Sequence, residues 1–317
     1  MDFRTIVPIK KHENPIDYNS ELLLMGSCFA ENIGDKFEYF KFKNAVNPFG
    51  IIFNPVSIMK LVERVVEKNY YKDSDVFFHN DLWSCFEVHS ELSNPKKDDL
   101  LKQLNDLIES THQQISNGTH FQITYGTSWV YRYKTSNEIV ANCHKVPQKE
   151  FEKELLSTEN IQNSIQKTIQ LVHEINPKCQ FIFTVSPVRH IKDGFVENQQ
   201  SKAHLLTALH KVISQYSSTS YFPSYEIMMD ELRDYRFYAE DMLHPNQVAI
   251  DYIWVKFFEN FVSEAVFKTM QDICDIQKAL HHKPFNPDSE SHQKFLNNLE
   301  SKISKIKEKL PFINFKK

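Results

Sequence analysis

Two short stretches carry side chains that could do chemistry together. The first is Leu22-Leu23-Leu24-Met25-Gly26-Ser27-Cys28, an apolar run that ends in a glycine and delivers a hydroxyl and a thiol to the start of a helical pattern. The first turn of a helix has free backbone N–H groups and the positive end of the dipole, so an anion is favoured there. A side chain in that position is placed to act as a nucleophile, and a thiol there is expected to have a lowered pKa. The second stretch, far along the chain, is Asp241-Met242-Leu243-His244-Pro245-Asn246. Asp and His three residues apart can meet across one turn. The carboxylate then takes the Nδ1 proton and leaves Nε2 for a nucleophile. Asn246 is set to cap a helix over 247–262 and so to fix the loop before it.

The elements that must position these residues are legible in outline. A continuous apolar run such as 22–26 reads as a buried strand of an α/β sheet. Its glycine permits a tight turn, and a helix over 29–40 follows. Pro55 opens a helix to about residue 68. Segments 76–79 and 82–88 flank Asn80-Asp81 as a hairpin, and 98–116 is an amphipathic helix. Residues 121–125 form a strand ending at Gly126-Thr127-Ser128, and a second hairpin is expected over 129–142. A long helix over 150–175 ends at Asn176-Pro177. Gln180-Phe181-Ile182-Phe183-Thr184-Val185 is the clearest buried strand, and Ser186-Pro187-Val188-Arg189-His190 leaves its carboxyl end, where α/β sheets place ligands. Arg189 could hold a substrate anion, but a pairing with a carboxylate such as Asp234 is preferred because buried Arg is usually paired. His190 competes with His244 as a base, with only Asp193 at a useful spacing. A short strand around 3–8 and helices over 198–217, 270–280 and 289–310 complete the reading. The last helix has one apolar stripe, suited to packing on the body or on a second copy of the chain.

Several peptides beyond these two stretches resemble one family. Gly26-Ser27-Cys28-Phe29-Ala30, Asn47-Pro48-Phe49-Gly50, Tyr125-Gly126-Thr127-Ser128-Trp129, Asn142-Cys143-His144-Lys145, Ser186-Pro187-Val188-Arg189-His190 and Leu232-Arg233-Asp234-Tyr235-Arg236-Phe237-Tyr238 are similar to the GSCFA family, over most of residues 1–290. That family looks like a branch of the SGNH (GDSL-type) hydrolases. The resemblance implies a flavodoxin-like three-layer αβα sandwich with a mostly parallel sheet over 1–265, followed by a C-terminal helical extension over 266–317. It implies cleavage or transfer of acyl esters. Laying the family's strand–Gly–Asp–Ser block on Gly26-Ser27-Cys28 puts Cys28 at the nucleophile position; a second frame uses Ser27. By order, Gly50 matches the glycine N–H of the oxyanion hole, with a plain turn as the alternative. Gly126 matches the block that normally brings an Asn, which is missing here, so Thr127 or Asn142 would substitute as donor.

Composition narrows the alternatives. The chain has 317 residues, 41% hydrophobic and 25% charged, with a formal net charge of −4. That balance gives no reason to expect nucleic-acid or anionic-membrane partners. The five cysteines have no Cys-x-x-Cys pair, so a disulfide framework or zinc ribbon is not expected. No apolar run approaches a membrane span, no signal-peptide pattern opens the chain, and a reducing cytoplasm is the default expectation. No cofactor motif is present. The expected ligand is a small-molecule or carbohydrate acyl ester. Two other readings stand beside the enzyme: a catalytically silent carbohydrate- or acyl-binding module, and a metal site built from Cys28, Cys143, His144 and His244.

Overall fold

The computed structural model describes residues 4–315. β1 (Glu21–Gly26) leads into α1 (Cys28–Tyr39) and β2 (Lys43–Val46). α2 (Pro55–Val66), the hairpin β3 (Phe77–His79) and β4 (Leu82–Ser84), and α3 (Lys97–Asn117) precede β5 (His120–Tyr125). β6 (Trp129–Tyr133), β7 (Glu138–Val140) and β8 (Phe151–Leu155) form a separate antiparallel sheet. Then come α4 (Thr158–Ile175), β9 (Gln180–Val185), α5 (Phe195–Ile213), β10 (Thr219–Tyr221) and the single turn α6 (Ser224–Glu226). α7 (Gln247–Phe261), α8 (Phe267–His281) and α9 (Glu290–Lys309) end the chain.

The central sheet has five strands in the order β10-β9-β5-β1-β2, all parallel. The chain steps from β1 to β2 on one side, then returns to β5 on the other. That reversal opens a crevice at the carboxyl ends of β1 and β5, where doubly wound sheets bind ligands. Alternation along β1 splits the core. Leu23 and Met25 pack with α2, α3, α4 and α5 on one face, while Leu22 and Leu24 pack with α1 and α7 on the other. The result is the three-layer sandwich. Residues of α8 and α9, among them Met270, Ile273 and Leu299, join the same buried cluster as Phe37 and Trp254, so the terminal helices lie on the body. No helix of the described residues is long and apolar enough to cross a membrane.

Several expectations shift. The helix expected over 150–175 begins only at Thr158, where Ser157 caps it by accepting from Asn160 N–H. Residues 151–155 are β8 instead, paired along the whole of β6. An isolated chain favours helix there, but the open edge of β6 satisfies the backbone groups better as strand. The short strand expected around 3–8 is absent over 4–8, and residue 3 lies outside the described residues. Val7 N–H donates to the Glu231 side chain in place of a strand partner. Asn80 and Asp81 both take positive φ, 50° and 61°, as a two-residue hairpin turn requires.

Candidate active site at the carboxyl edge of the sheet

The turn after β1 is built around a glycine. Gly26 has φ 139°, and a Cβ there would stand 2.2 Å from the Thr124 carbonyl oxygen of β5. Ser27 N–H then donates to that carbonyl at 3.0 Å. The Asn47 side chain accepts from Gly26 N–H at 2.9 Å and donates to Glu31 at 3.3 Å, locking the turn to the loop after β2. Ser27 is buried and caps α1, its Oγ accepting from Phe29 N–H at 3.3 Å. Cys28, the first residue of α1, is half-buried. Among the described residues its N–H has no acceptor, as expected of a first-turn amide.

The thiol does not have the lowered pKa that its position suggests. Burial pushes Cys28 up and Glu31 pushes it further. The helix-start amides and Lys202 pull the other way without reversing the direction. Desolvation of an anion outweighs the partial charges of one helix turn here.

Asp241 and His244 meet as their spacing predicts. His244 Nδ1 lies 2.5 Å from Asp241 Oδ2, and Asp241 Oδ1 accepts from the N–H groups of Leu243 (2.9 Å) and His244 (3.0 Å). These three donors hold the Asp241 carboxyl down to about 2, so it stays ionised and fixes the ring. His244 Nε2 has no hydrogen-bond partner among the described residues, and the ring is half-exposed. Asn246 caps α7 by accepting from Ala249 N–H at 3.1 Å, and its Nδ2 donates to Arg236 O at 2.7 Å.

Arg189 does not pair with Asp234, which binds Arg236 at 2.9 Å. Instead the Arg189 guanidinium donates to the Met242 carbonyl and stacks over Tyr238 at 4.3 Å. Arg189 N–H donates to Leu243 O at 3.2 Å. The loop after β9 thus grips the loop that carries the Asp–His pair. An Asp234 pairing fails because a carboxylate followed by a nearer Arg along its own loop is satisfied locally. The His190 ring lies against Phe53, with ring centroids 5.4 Å apart and the planes tilted by 31°, and the His190 backbone N–H donates to Asn198 Oδ1 at 2.9 Å. Its Nε2 is buried without a partner beside Gly126. Asp193 is engaged by Lys153 and leaves His190 without a carboxylate.

Three of the four residues expected at the oxyanion hole have their polar groups engaged elsewhere, and the fourth, Asn142, is engaged only through its oxygen. Gly50 N–H donates to Asn47 O at 2.7 Å, closing the plain turn that was its alternative, and Gly50 takes φ 75°. Gly126 N–H donates to Phe53 O at 2.8 Å. The Thr127 hydroxyl is 2.8 Å from Ser201 Oγ and accepts from Trp129 N–H. Asn142 Oδ1 accepts from His144 N–H at 2.8 Å, an Asx turn that satisfies the carboxamide oxygen within its own loop. His144 Nε2 sits 2.7 Å from Cys85 O and 3.1 Å from Val88 O, which engages that nitrogen with backbone carbonyls. No group of three His, Cys, Asp or Glu among the described residues could hold a metal ion.

One residue of the site escapes a motif search. Lys202 on α5 is fully buried, and its Nζ donates to Gly126 O at 2.7 Å and Ser186 O at 2.8 Å, the residues that leave β5 and β9. Its signal was in the pattern: it shares one helix face with Leu205, Leu209 and Val212, all buried.

Solved structures similar to this chain are distant from it in sequence. One assigned as a GDSL-like lipase from Parabacteroides merdae is 10% identical, with 79% of this chain and 99% of the other covered at a TM-score of 0.42. A carbohydrate esterase family 3 protein from Talaromyces cellulolyticus is 9% identical, with 81% and 99% covered at a TM-score of 0.37. An acetyl esterase variant with acetate ion is 8% identical, with 80% and 99% covered at 0.36. Among curated proteins none matches. The model described as GSCFA family matches residues 21–257, and that described as GSCFA domain protein, C-terminal domain, matches 273–317. The chain belongs to the GSCFA family.

Proposed function

We propose that this protein hydrolyses or transfers acyl esters through a Cys28–His244–Asp241 triad, on a small-molecule or carbohydrate ester. The observation that carries the reading is the Asp241–His244 pair: a carboxylate held by three N–H groups, with an imidazole fixed through Nδ1 and open at Nε2. Its loop is tied by Arg189 to the same sheet edge at which Cys28 begins α1. Cys28 is preferred over Ser27 because Ser27 is buried in the cap while Cys28 is half-open.

In this reaction the Cys28 proton passes to His244 Nε2 and Sγ bonds to the acyl carbon. The tetrahedral oxygen takes the negative charge, and the free N–H of Cys28 is its first donor. The C–O bond to the leaving group then breaks, and His244 returns the proton to the departing alkoxide. Water, or a sugar hydroxyl, attacks the thioester in the same way and releases Cys28. A thiol held high by burial needs this base, since it cannot supply its own thiolate at neutral pH.

The test is hydrolysis of an activated acetyl ester by wild type and by Cys28→Ala. Turnover in wild type that vanishes in the variant is the expected result. Unchanged turnover in C28A removes Cys28 as nucleophile. A wild type without turnover, yet retaining acyl sugars in equilibrium dialysis, would instead make the fold a binding module.

A further inference from the structure

The Arg189 side chain ties two loops together with one of its five N–H groups, the Nη2 bond to the Met242 carbonyl. The other four have no acceptor among the described residues, and Nε is buried without a partner. No carboxylate among the described residues lies within ion-pair distance of the guanidinium. Four acids of its own and the facing loop have other partners. Asp193 is engaged by Lys153, Asp230 lies 3.7 Å from Arg233, Asp234 binds Arg236 at 2.9 Å, and Asp241 holds His244. An arginine with a fixed, partly covered fork is ordinarily matched by an acid, because its planar N–H groups suit two oxygens at once. Here the cation is in place and the acid is not supplied by the chain.

The guanidinium is also held still. It lies 4.3 Å from the centre of the Tyr238 ring and 5.4 Å from that of Tyr235. The two rings are 5.8 Å apart and inclined by 44°, so they form a corner around the cation. Tyr238 is half-buried, whereas Tyr235 is exposed. A cation fixed beside an open aromatic face makes a surface of two parts. The N–H groups take an oxyanion, and the ring takes an apolar face of the same molecule. Both parts are set before any ligand arrives, which lowers the cost of binding.

The loop that Arg189 grips gives this surface its place in the reaction. The Arg189 backbone N–H donates to Leu243 O at 3.2 Å and the side chain to Met242 O, the two residues before His244. In the reaction proposed above His244 returns a proton to the departing alkoxide, so the alcohol half of the ester lies on the His244 side of the scissile bond. We propose that this alcohol is an anionic sugar: its carboxylate or phosphate is bound by the free N–H groups of Arg189, and its ring lies on Tyr235. This deepens the acyl-ester reading and rests on it for the side of the scissile bond. A neutral sugar would have the Tyr235 face alone.

The test is one of binding and needs no turnover. Wild type and Arg189→Met are titrated with glucose, glucuronate and glucose 6-phosphate, and ¹H–¹⁵N spectra follow the backbone amides and the Arg189 Nε–H group. In wild type at least one charged sugar should bind about tenfold more tightly than glucose, the scale of one charge-assisted hydrogen bond. The tighter of the two tells a carboxylate from a phosphate. The Arg189 Nε–H resonance should move with that sugar and stay in place with glucose. In R189M the preference for charge should fall to less than about twofold, because only screened, more distant cations remain. A loosened loop weakens neutral and charged sugars alike, so the ratio reports the guanidinium itself. Equal affinity for all three sugars, no binding of either charged sugar at tens of millimolar, or a preference for charge that survives R189M overturns the proposal. If R189M does not fold, an Arg189 Nε–H resonance unmoved by the charged sugars overturns it in wild type. A wild type without ester turnover leaves this measurement standing, and a working triad survives its failure, so the two claims fail separately.

Discussion

His190 and His244 stand on loops that touch, joined by Arg189, yet their surroundings are opposite. His244 is half-exposed, has a carboxylate on Nδ1 and an open Nε2. His190 is enclosed by Phe53 and Gly126, has no carboxylate, and feels two positive neighbours, Lys202 and His244. Burial first, and then those charges, lower His190 to about 3. A general base must accept a proton near the working pH. His190 cannot, because a second positive charge in that dry corner has nothing to balance it. Two imidazoles at one sheet edge therefore have different work available to them, and the difference lies in partners and water rather than in position along the chain.

The sharpest way to break this comparison is to remove each ring. In the acetyl-ester assay His244→Ala should cost between about 10² and 10⁴ in kcat/KM, the usual contribution of a positioned base. His190→Asn should cost less than about tenfold. The reverse order would make His190 the base and the Asp241 pair a structural loop lock.

Acid stability sharpens the same contrast. The folded value of His190 lies below its ordinary 6.5, so the unfolded chain takes up a proton first. The stability that neutral His190 contributes is complete above 6.5 and is lost as pH falls from there toward about 3. Between pH 7 and pH 5 this amounts to about 2 kcal/mol. His120, lowered to about 4 by burial, adds loss over the same window. Urea midpoints at the two pH values should converge in His190→Asn relative to wild type. An identical pH dependence in that variant would show that His190 is not held neutral by the fold.

Much of this arrangement can be read from residues alone, and the unread part has a common cause. The apolar run of β1, the glycine after it and the Asp–x–x–His spacing are local patterns, and the structure keeps each of them. The Asn246 cap is local too. What misleads is whatever depends on burial or on a distant partner. The thiol at a helix start suggests a low pKa, but the depth of the crevice reverses it. Gly50 and Thr127 look like free donors until Asn47 and Ser201 are brought against them. Residues 151–155 look helical until β6 offers an edge. Lys202 was visible as a charge on an apolar helix face, a conflict between local chemistry and pattern that often marks function.

The smallest expected effect concerns the tie between the two histidine loops. Arg189 contributes one hydrogen bond to the Met242 carbonyl and a cation–π stack on Tyr238, while its backbone N–H holds Leu243 O independently of the side chain. Arg189→Met keeps the backbone bond and much of the packing. It should therefore lower global stability by no more than about 1 kcal/mol, the scale of one partly exposed cation–π contact. The local consequence should be larger than the global one. The Leu243 and His244 amides donate to Asp241, and that loop depends on Arg189 for its hold on the sheet edge. Amide exchange at Leu243 and His244 should accelerate in R189M while the amides of β5 and β9 keep their protection. Equal exchange at Leu243 in both proteins would mean that the Asp241 turn holds itself. The contact between the two loops would then be incidental to the orientation of His244.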